Sequence, residues 1–416
     1  MKTQKLKDPA ITFSQQNIAE ACAYIEDMWQ QLTKVQKEDS GTLVGLPYPY
    51  IVPSVEERGG FVFEEMYYWD SYFIALGLIE SGKTELAEGM LENAIYLFKR
   101  FQMIPNASRM YFTSRSQPPL LTTFIFKIYD VCEKNEQWLR ERIEIAEREY
   151  QTVWEGETQP HIRKVYKGLS RFYDINVLDD LAEAESGWDM TTRFNGKCLS
   201  HIPIDLNSLL YKYETDFARA YKIFNDADTS DVWATKAKVR SVNVSVELWN
   251  SKKGYFFDLN YETGEHSQVW SLAGLYPLWT GLVSEIQAEK IVNNLSKFIQ
   301  EGGLATTSSD ESDDHRPIVK QWAYPNGWAP LHLVAVEGLE KYGFHEEAEL
   351  IARKWLKCNL DYFKTFGIFR EVYNVVEPLD EPEEGVYPSQ SGFGWTNAVF
   401  LQLAKKYLTA EEKALI

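Results

Sequence analysis

Apolar side chains recur along this chain mostly with the period of a helix. Ile18, Cys22, Ile25, Trp29 and Leu32 fall at i, i+4, i+7, i+11 and i+14, which is one continuous stripe. Similar stripes run through Leu86, Met90, Ala94, Leu97 and Phe101, through Ile286, Ile291, Val292, Leu295 and Phe298, and through Leu350, Ala352, Trp355 and Leu356. Strict alternation is rare. Only short pieces such as Arg109-Met110-Tyr111-Phe112 and Gly254-Tyr255-Phe256-Phe257-Asp258 read as strands or hairpin arms, so the pattern predicts an all-α fold with a few short β-hairpins.

Three stretches repeat one layout. Trp69-Asp70-Ser71-Tyr72-Phe73 leads through Gly82 to Glu85-Leu86-Ala87-Glu88. Trp270-Ser271-Leu272 leads through Gly281 to Ile286-Gln287-Ala288-Glu289, and Trp328-Ala329-Pro330 leads through Gly343 to Glu347-Ala348-Glu349. Each is an aromatic-rich helix, a Gly turn and an amphipathic helix with a charged outer face. Such hairpins cannot bury their apolar faces alone and must stack side by side. An open solenoid is the competing arrangement. The irregular spacing of the repeats favours a closed toroid whose long inner loops gather at one mouth. The richest loops, Thr306 to His315 and Val376 to Gly385, interrupt helical territory instead of separating two halves, so the expectation is a single domain over residues 1–416.

Composition narrows the function. With 43 Lys+Arg against 61 Asp+Glu the formal charge is -18, and no clustered basic face suggests a phosphate backbone as partner. At 44% hydrophobic and 25% charged residues, the chain has the make-up of a globular protein. Cys22, Cys132, Cys198 and Cys358 are far apart, which points to buried free thiols instead of a metal knuckle or redox pair. The N-terminus lacks an apolar signal core and no run of 18 apolar residues occurs, so the expectation is a soluble cytoplasmic protein without membrane contact. Aromatic residues reach 14%, with 13 Trp, 24 Tyr and 22 Phe. Aromatic faces suit sugar rings, although a large helical core alone accounts for them as well.

Two carboxylates stand out. In Glu185-Ser186-Gly187-Trp188-Asp189 a large indole adjoins Asp189, and an apolar neighbour raises a carboxyl pKa, as a general acid requires. A helix N-cap is an equal reading of that segment. In Phe369-Arg370-Glu371-Val372-Tyr373-Asn374 a cation adjoins Glu371, which would keep it ionised as a base must be; a strand-edge ion pair is the plainer alternative. Amide and cationic groups cluster at Asn106, Arg109, Arg115, Gln117, Arg171, Lys320, Gln321 and Asn326, and the planar forks of Arg and Gln suit paired hydroxyls. Six scattered histidines form no metal-binding pair, and the glycine motifs of nucleotide sites and the serine-hydrolase elbow are missing, so no cofactor or metal is expected.

Taken in order, Glu65-Met66-Tyr67-Tyr68-Trp69-Asp70-Ser71-Tyr72, Ser114-Arg115-Ser116-Gln117-Pro118-Pro119, Glu185-Ser186-Gly187-Trp188-Asp189, Asp205-Leu206-Asn207, Gln321-Trp322-Ala323-Tyr324-Pro325-Asn326-Gly327-Trp328-Ala329-Pro330 and Gly392-Phe393-Gly394-Trp395-Thr396-Asn397 resemble the successive signatures of the trehalase family of glycoside hydrolases. The resemblance implies an (α/α)6 toroid and inverting hydrolysis of an α-glucoside, with Asp189 as general acid and Glu371 as general base. The substrate-binding residues it suggests are Phe63, Tyr68, Trp69, Asp70, Asn106, Arg115, Gln117, Arg171, Trp188, Gln321, Trp322, Asn326 and Trp395.

The chain departs from the family pattern in three places. Val62 stands where a pocket arginine is expected, with Arg58 four residues earlier. Arg171-Phe172-Tyr173-Asp174 replaces Arg-Pro-Glu-Ser, and the Gly-rich lid with its Glu becomes Glu383-Glu384-Gly385-Val386-Tyr387-Pro388. The catalytic pair is retained while the groups that hold the leaving sugar are altered. The expected activity is hydrolysis of trehalose or a related α-glucoside. The alternatives are an α-glucosidase for another aglycone such as a glucosylated acid or polyol, a phosphorylase, and a non-catalytic sugar-binding toroid. The expected partner is a small saccharide, without nucleic acid; oligomeric state is left open. An inverting pair should stand about 6.5 to 9.5 Å apart to admit a water.

Overall fold

The computed structural model describes residues 11–56, 62–310, 314–385 and 387–415. Arg58 and Val386, two of the positions that depart from the family pattern, lie outside the described residues. The helices are α1 (Gln15–Leu32), α2 (Tyr68–Glu80), α3 (Thr84–Phe101), α4 (Leu121–Val131), α5 (Glu136–Glu149), α6 (Pro160–Arg163), α7 (Asp179–Glu185), α8 (Ile204–Ile223), α9 (Ala227–Glu247), α10 (Tyr276–Thr280), α11 (Glu285–Val292), α12 (Ala329–Lys341), α13 (His345–Phe366) and α14 (Gly394–Tyr407).

Sequence decides which helix goes where. In α2 every residue from Tyr68 to Leu78 is buried, and α12 is buried almost throughout, because these helices are apolar around their whole circumference. By contrast α9 buries only Trp233, Ala237, Arg240 and Val244, one face of a polar helix. The all-round apolar helices form an inner ring. In it α4 packs on α8, α8 on α10, α10 on α12, α12 on α14 and α14 back on α2. Tyr72 of α2 meets Phe124 of α4 edge-on at 6.1 Å, which closes the circle. Around it lie α1, α3, α5, α9, α11 and α13, so the architecture is the (α/α)6 toroid. The three repeats are the inner–outer pairs α2–α3, α10–α11 and α12–α13. Their turns use Gly82, Gly281 and Gly343 at φ +71°, +80° and +81°, the left-handed conformation that ends a helix without a Cβ penalty.

Two sequence expectations give way. Ile286 is 68% exposed, since a five-residue step to Ile291 turns about 140° around a helix and leaves the stripe; Ala288, Ile291 and Val292 carry it instead. The segment Met110–Phe112 is a short 3₁₀ turn, not a hairpin arm, and Tyr111 is 57% exposed. The Gly254 to Asp258 piece does form a strand, Tyr255–Phe256, paired with Trp249–Asn250. At one mouth of the ring, Asn326–Trp328 pairs antiparallel with Val372–Asn374, joining the loop before α12 to the segment that carries Glu371.

Candidate active site

At that mouth lies a cavity of about 210 Å³ lined by Pro53, Phe63, Tyr67, Trp69, Asp70, Asn106, Phe112, Arg115, Gln117, Ala184, Gly187, Asp189, Trp322, Glu371, Tyr387, Phe393 and Trp395. Its floor is the first turn of α2, with Trp69 and Asp70. The Trp69 backbone N–H donates to Gln117 Oε1 at 3.0 Å, and Asn106 Nδ2 donates to the carbonyls of Ser116 and Ala184. These amides fix the loops of the mouth against one another. The apolar wall is a stack of indoles: Trp322 lies parallel to Trp328 at 3.8 Å and stacks on Trp188 at 5.7 Å, while Trp395 meets Trp322 edge-on at 6.1 Å.

Asp189 sits on the loop that leaves α7. Gly187 permits the approach, because its φ is +74° and a Cβ there would meet the Trp69 ring at 2.8 Å. Burial raises the Asp189 carboxyl pKa above its usual range, and the Arg115 charge opposes that shift. The segment is a loop after a helix, so the N-cap alternative does not hold.

Glu371 is 1% exposed and immediately precedes the strand Val372–Asn374. Its Oε1 accepts from Tyr387 Oη at 2.7 Å and its Oε2 from the Gln390 N–H at 3.1 Å. Burial pushes its pKa up to about 7; those two donors pull it down and the Asp189 charge pushes it further up. The charge of the neighbouring Arg370 also lowers this pKa, but it is the smallest of these influences and does not offset burial. Arg370 turns away, donating to Tyr362 Oη at 2.8 Å and pairing with Glu381 at 2.8 Å, which corrects the expectation drawn from adjacency in sequence. Asp70 is a third desolvated carboxyl, 4% exposed, raised well above its usual range by burial and by the charges of Glu371 and Asp189. Among the described lining residues, Arg115 is the one cation. It donates from Nη1 to Ser114 Oγ and Asp174 Oδ2, each at 3.3 Å, with Phe112 beneath its guanidinium.

The cavity thus brings together Asp189, Glu371, Phe63, Trp69, Asp70, Asn106, Arg115, Gln117, Trp322 and Trp395 from segments far apart in sequence. Five other candidates stand behind it. The Tyr68 hydroxyl accepts the Leu120 and Leu121 N–H groups and lies 3.4 Å from Glu149. Arg171 donates to the carbonyls of Ile162 and Leu199 and to Tyr261 Oη. Trp188 is fully buried, with the Arg193 guanidinium 4.6 Å from its ring centre. Asn326 exchanges hydrogen bonds with the backbone of Glu383, and Gln321 lies against Gly385, where a Cβ would come within 2.4 Å of its Oε1. Asn326 thus anchors Glu383, and Gln321 packs against Gly385 two residues on.

Sequence reasoning missed Pro53, Tyr67, Phe112, Ala184, Gly187, Tyr387 and Phe393 as lining residues. Tyr67 and Phe393 stood inside quoted motifs and Tyr387 inside the altered lid, whereas Pro53 carries no signal. Val62 is 41% exposed and does not line the cavity, nor does Tyr173.

A family profile described as Trehalase matches residues 2–183 and 174–408. The chain is 35% identical over 430 residues to the periplasmic trehalase of Xanthomonas campestris pv. campestris strain 8004, covering 92% of this chain and 73% of that one. It is 33% identical to the cytosolic neutral trehalase of Beauveria bassiana, covering 86% and 58% respectively. The neutral trehalase Nth1 from Saccharomyces cerevisiae has a similar structure, with a TM-score of 0.77 at 29% identity over 95% of this chain and 82% of that one. Among the described residues no helix is long and apolar enough to cross a membrane.

Proposed function

We propose, from the premise that this chain belongs to the trehalase family of glycoside hydrolases, that it hydrolyses α,α-trehalose or a closely related α-glucoside with inversion, using Asp189 as general acid and Glu371 as general base. The observation that carries the assignment is that both carboxyls face one desolvated cavity and differ in their hydrogen-bond surroundings. Two carboxyls that sense each other's charge do not ionise independently: once one is ionised, the other holds its proton more tightly. The Tyr387 hydroxyl and the Gln390 N–H both stabilise the anion of Glu371. They select Glu371 as the ionised partner and leave the proton on Asp189.

The reaction follows from that division. Asp189 gives its proton to the glycosidic oxygen as the C1–O bond breaks. Glu371 takes a proton from a water whose oxygen bonds to C1 on the opposite ring face, and the configuration at C1 inverts. The indoles of Trp69, Trp322 and Trp395 supply faces for the ring, and Asp70, Gln117 and Asn106 supply polar partners for its hydroxyls. We read residues 1–416 as one catalytic domain. We place the protein in the cytoplasm, a reading supported by its four unpaired cysteines.

A second reading has its own observation. Phe63, Tyr67, Phe112 and Phe393 add a further aromatic wall to the cavity, and neither Val62 nor Tyr173 lines it. That wall suits an aglycone other than a second glucose. The test is proton NMR of products from trehalose and a panel of α-glucosides, with and without phosphate. Inverting hydrolysis of trehalose gives one β- and one α-glucose per turnover, whereas retention gives α-glucose alone. Asp189→Asn and Glu371→Gln should each abolish hydrolysis of trehalose while the fold survives. Substantial turnover in either would remove the assignment, and cleavage of another α-glucoside without trehalose would select the second reading.

A further inference from the structure

The loop that carries Asp189 is held from outside the cavity by one side chain that reaches over from the 310s. Arg316 donates from Nη2 to Glu183 Oε2 at 3.0 Å and to the Thr191 carbonyl at 3.3 Å, and from Nη1 to Asp180 Oδ1 at 2.5 Å. On its own segment it pairs with Asp314 at 2.7 Å. Glu183 and Asp314 have side chains only 1% exposed and Arg316 is 20% exposed, so these two pairs are largely shielded from solvent, whereas Asp180, 54% exposed, is the solvated rim of the cluster. The other oxygen of Glu183 accepts the Thr191 N–H at 2.8 Å. Gly196, at φ +70°, lies directly beneath the guanidinium, where a Cβ would come within 2.8 Å of Nε. Arg316 therefore grips the chain on both sides of Asp189, at Glu183 before it and at Thr191 and Gly196 after it.

The grip matters because the loop has little regular structure of its own. Gly187 and Met190 flank Asp189 in left-handed conformations, at φ +74° and +66°. Met190 is not a glycine, and such a conformation persists only where surrounding contacts determine it. Two further bonds tie this stretch to the indole wall: Thr191 Oγ1 donates to the Trp322 carbonyl, and the Trp322 N–H donates to the Met190 carbonyl. Only a planar fork with five donors can reach these acceptors on separate segments at once, which a lysine ammonium cannot do.

We propose that Arg316, through Glu183 and the Thr191 backbone, is a positioning residue that aims the Asp189 carboxyl at the glycosidic oxygen. The proposal rests on the reading of Asp189 as general acid, and its test separates the two. With trehalose the leaving oxygen needs the proton from Asp189 as the C1–O bond breaks. With α-glucosyl fluoride the C1–F bond breaks to release fluoride ion, which needs no proton, while water attack assisted by Glu371 is unchanged. A displaced acid therefore slows the first reaction and spares the second.

The experiment measures kcat and KM for both substrates in the wild type, Arg316→Ala, Arg316→Lys and Asp189→Asn, with thermal unfolding of each. Arg316→Ala should lose about 30- to 100-fold in kcat on trehalose, the cost of an aim that is wrong by about 1 Å. Its KM and its rate on the fluoride should change less than about threefold. Arg316→Lys, which keeps the charge but not the fork, should show the same selective loss to a smaller extent, and it carries the test if the alanine variant does not fold. Equal losses on both substrates, or none, would overturn the proposal. If Asp189→Asn itself fails to discriminate between the substrates, the general-acid assignment fails instead.

Discussion

Replacing Tyr387 by Phe removes one hydroxyl from the cavity and leaves the ring, which meets Phe63 edge-on at 6.1 Å, in place. That hydroxyl donates to Glu371 Oε1 at 2.7 Å. A hydrogen bond to an ionised group contributes about 1.5 kcal/mol at the lower end of its range, and each pKa unit corresponds to about 1.36 kcal/mol. Losing the bond should therefore raise the Glu371 pKa by about one unit from its value of about 7. The sign is fixed by which form the hydroxyl favours: it stabilises the anion, so without it Glu371 keeps its proton to higher pH. A base must be ionised to work. The acid limb of kcat/KM should then move up by about one pH unit, costing about tenfold in rate at pH values below the limb, and the two enzymes should converge above it. The assay is a pH–rate profile from about pH 5 to about pH 9 on the best α-glucoside. A limb that stays in place or moves to lower pH would refute the account of how Glu371 is held.

Two further perturbations test the frame behind the cavity. Glu149 is fully buried against Tyr213 and Trp154, and burial lifts its pKa from 4.5 to about 7. A carboxyl raised on folding contributes stability that is present below its unfolded pKa and lost as pH rises through the folded one. Glu149→Gln should therefore stabilise the protein by up to about 3 kcal/mol at pH 8 and hardly at pH 4, read from urea unfolding at both values. Arg193 is fully buried between Asp205 and Asp258, with two hydrogen bonds to each. Arg193→Met leaves two carboxylates uncompensated and should cost about 3 to 5 kcal/mol in the same measurement; a loss below about 1 kcal/mol would show that the pair of aspartates takes up protons instead.

Much of the fold could be read from the chain because its signals are local. The left-handed turns at Gly82, Gly281 and Gly343 mark the ends of inner helices whatever surrounds them. An all-round apolar stretch such as Tyr68 to Leu78 has nowhere to go but the inside. What failed was inference from adjacency. Arg370 follows Phe369 and precedes Glu371, yet neighbouring side chains at a strand start point to opposite sides, and its guanidinium serves Tyr362 and Glu381. Tyr387, which does touch Glu371, lies sixteen residues away in sequence. Polar groups such as Arg171 and Asn326 have the right chemistry for a sugar, but backbone carbonyls recruit them first. Which of two polar partners a side chain meets depends on tertiary placement, and no periodicity encodes that.

The order in which the wall of the cavity is laid down along the chain bears on how it is made in the cell. Trp69 and Asp70 emerge from the ribosome early, whereas Glu371, Tyr387, Phe393 and Trp395 come hundreds of residues later, and α14 must then dock on α2 to complete the circle. Until that moment the aromatic floor has no cover, and a nascent chain presents it to chaperones and to other unfinished chains. A premature stop before α14 should yield an aggregating fragment instead of a weakened catalyst, because the barrel lacks its closing stave.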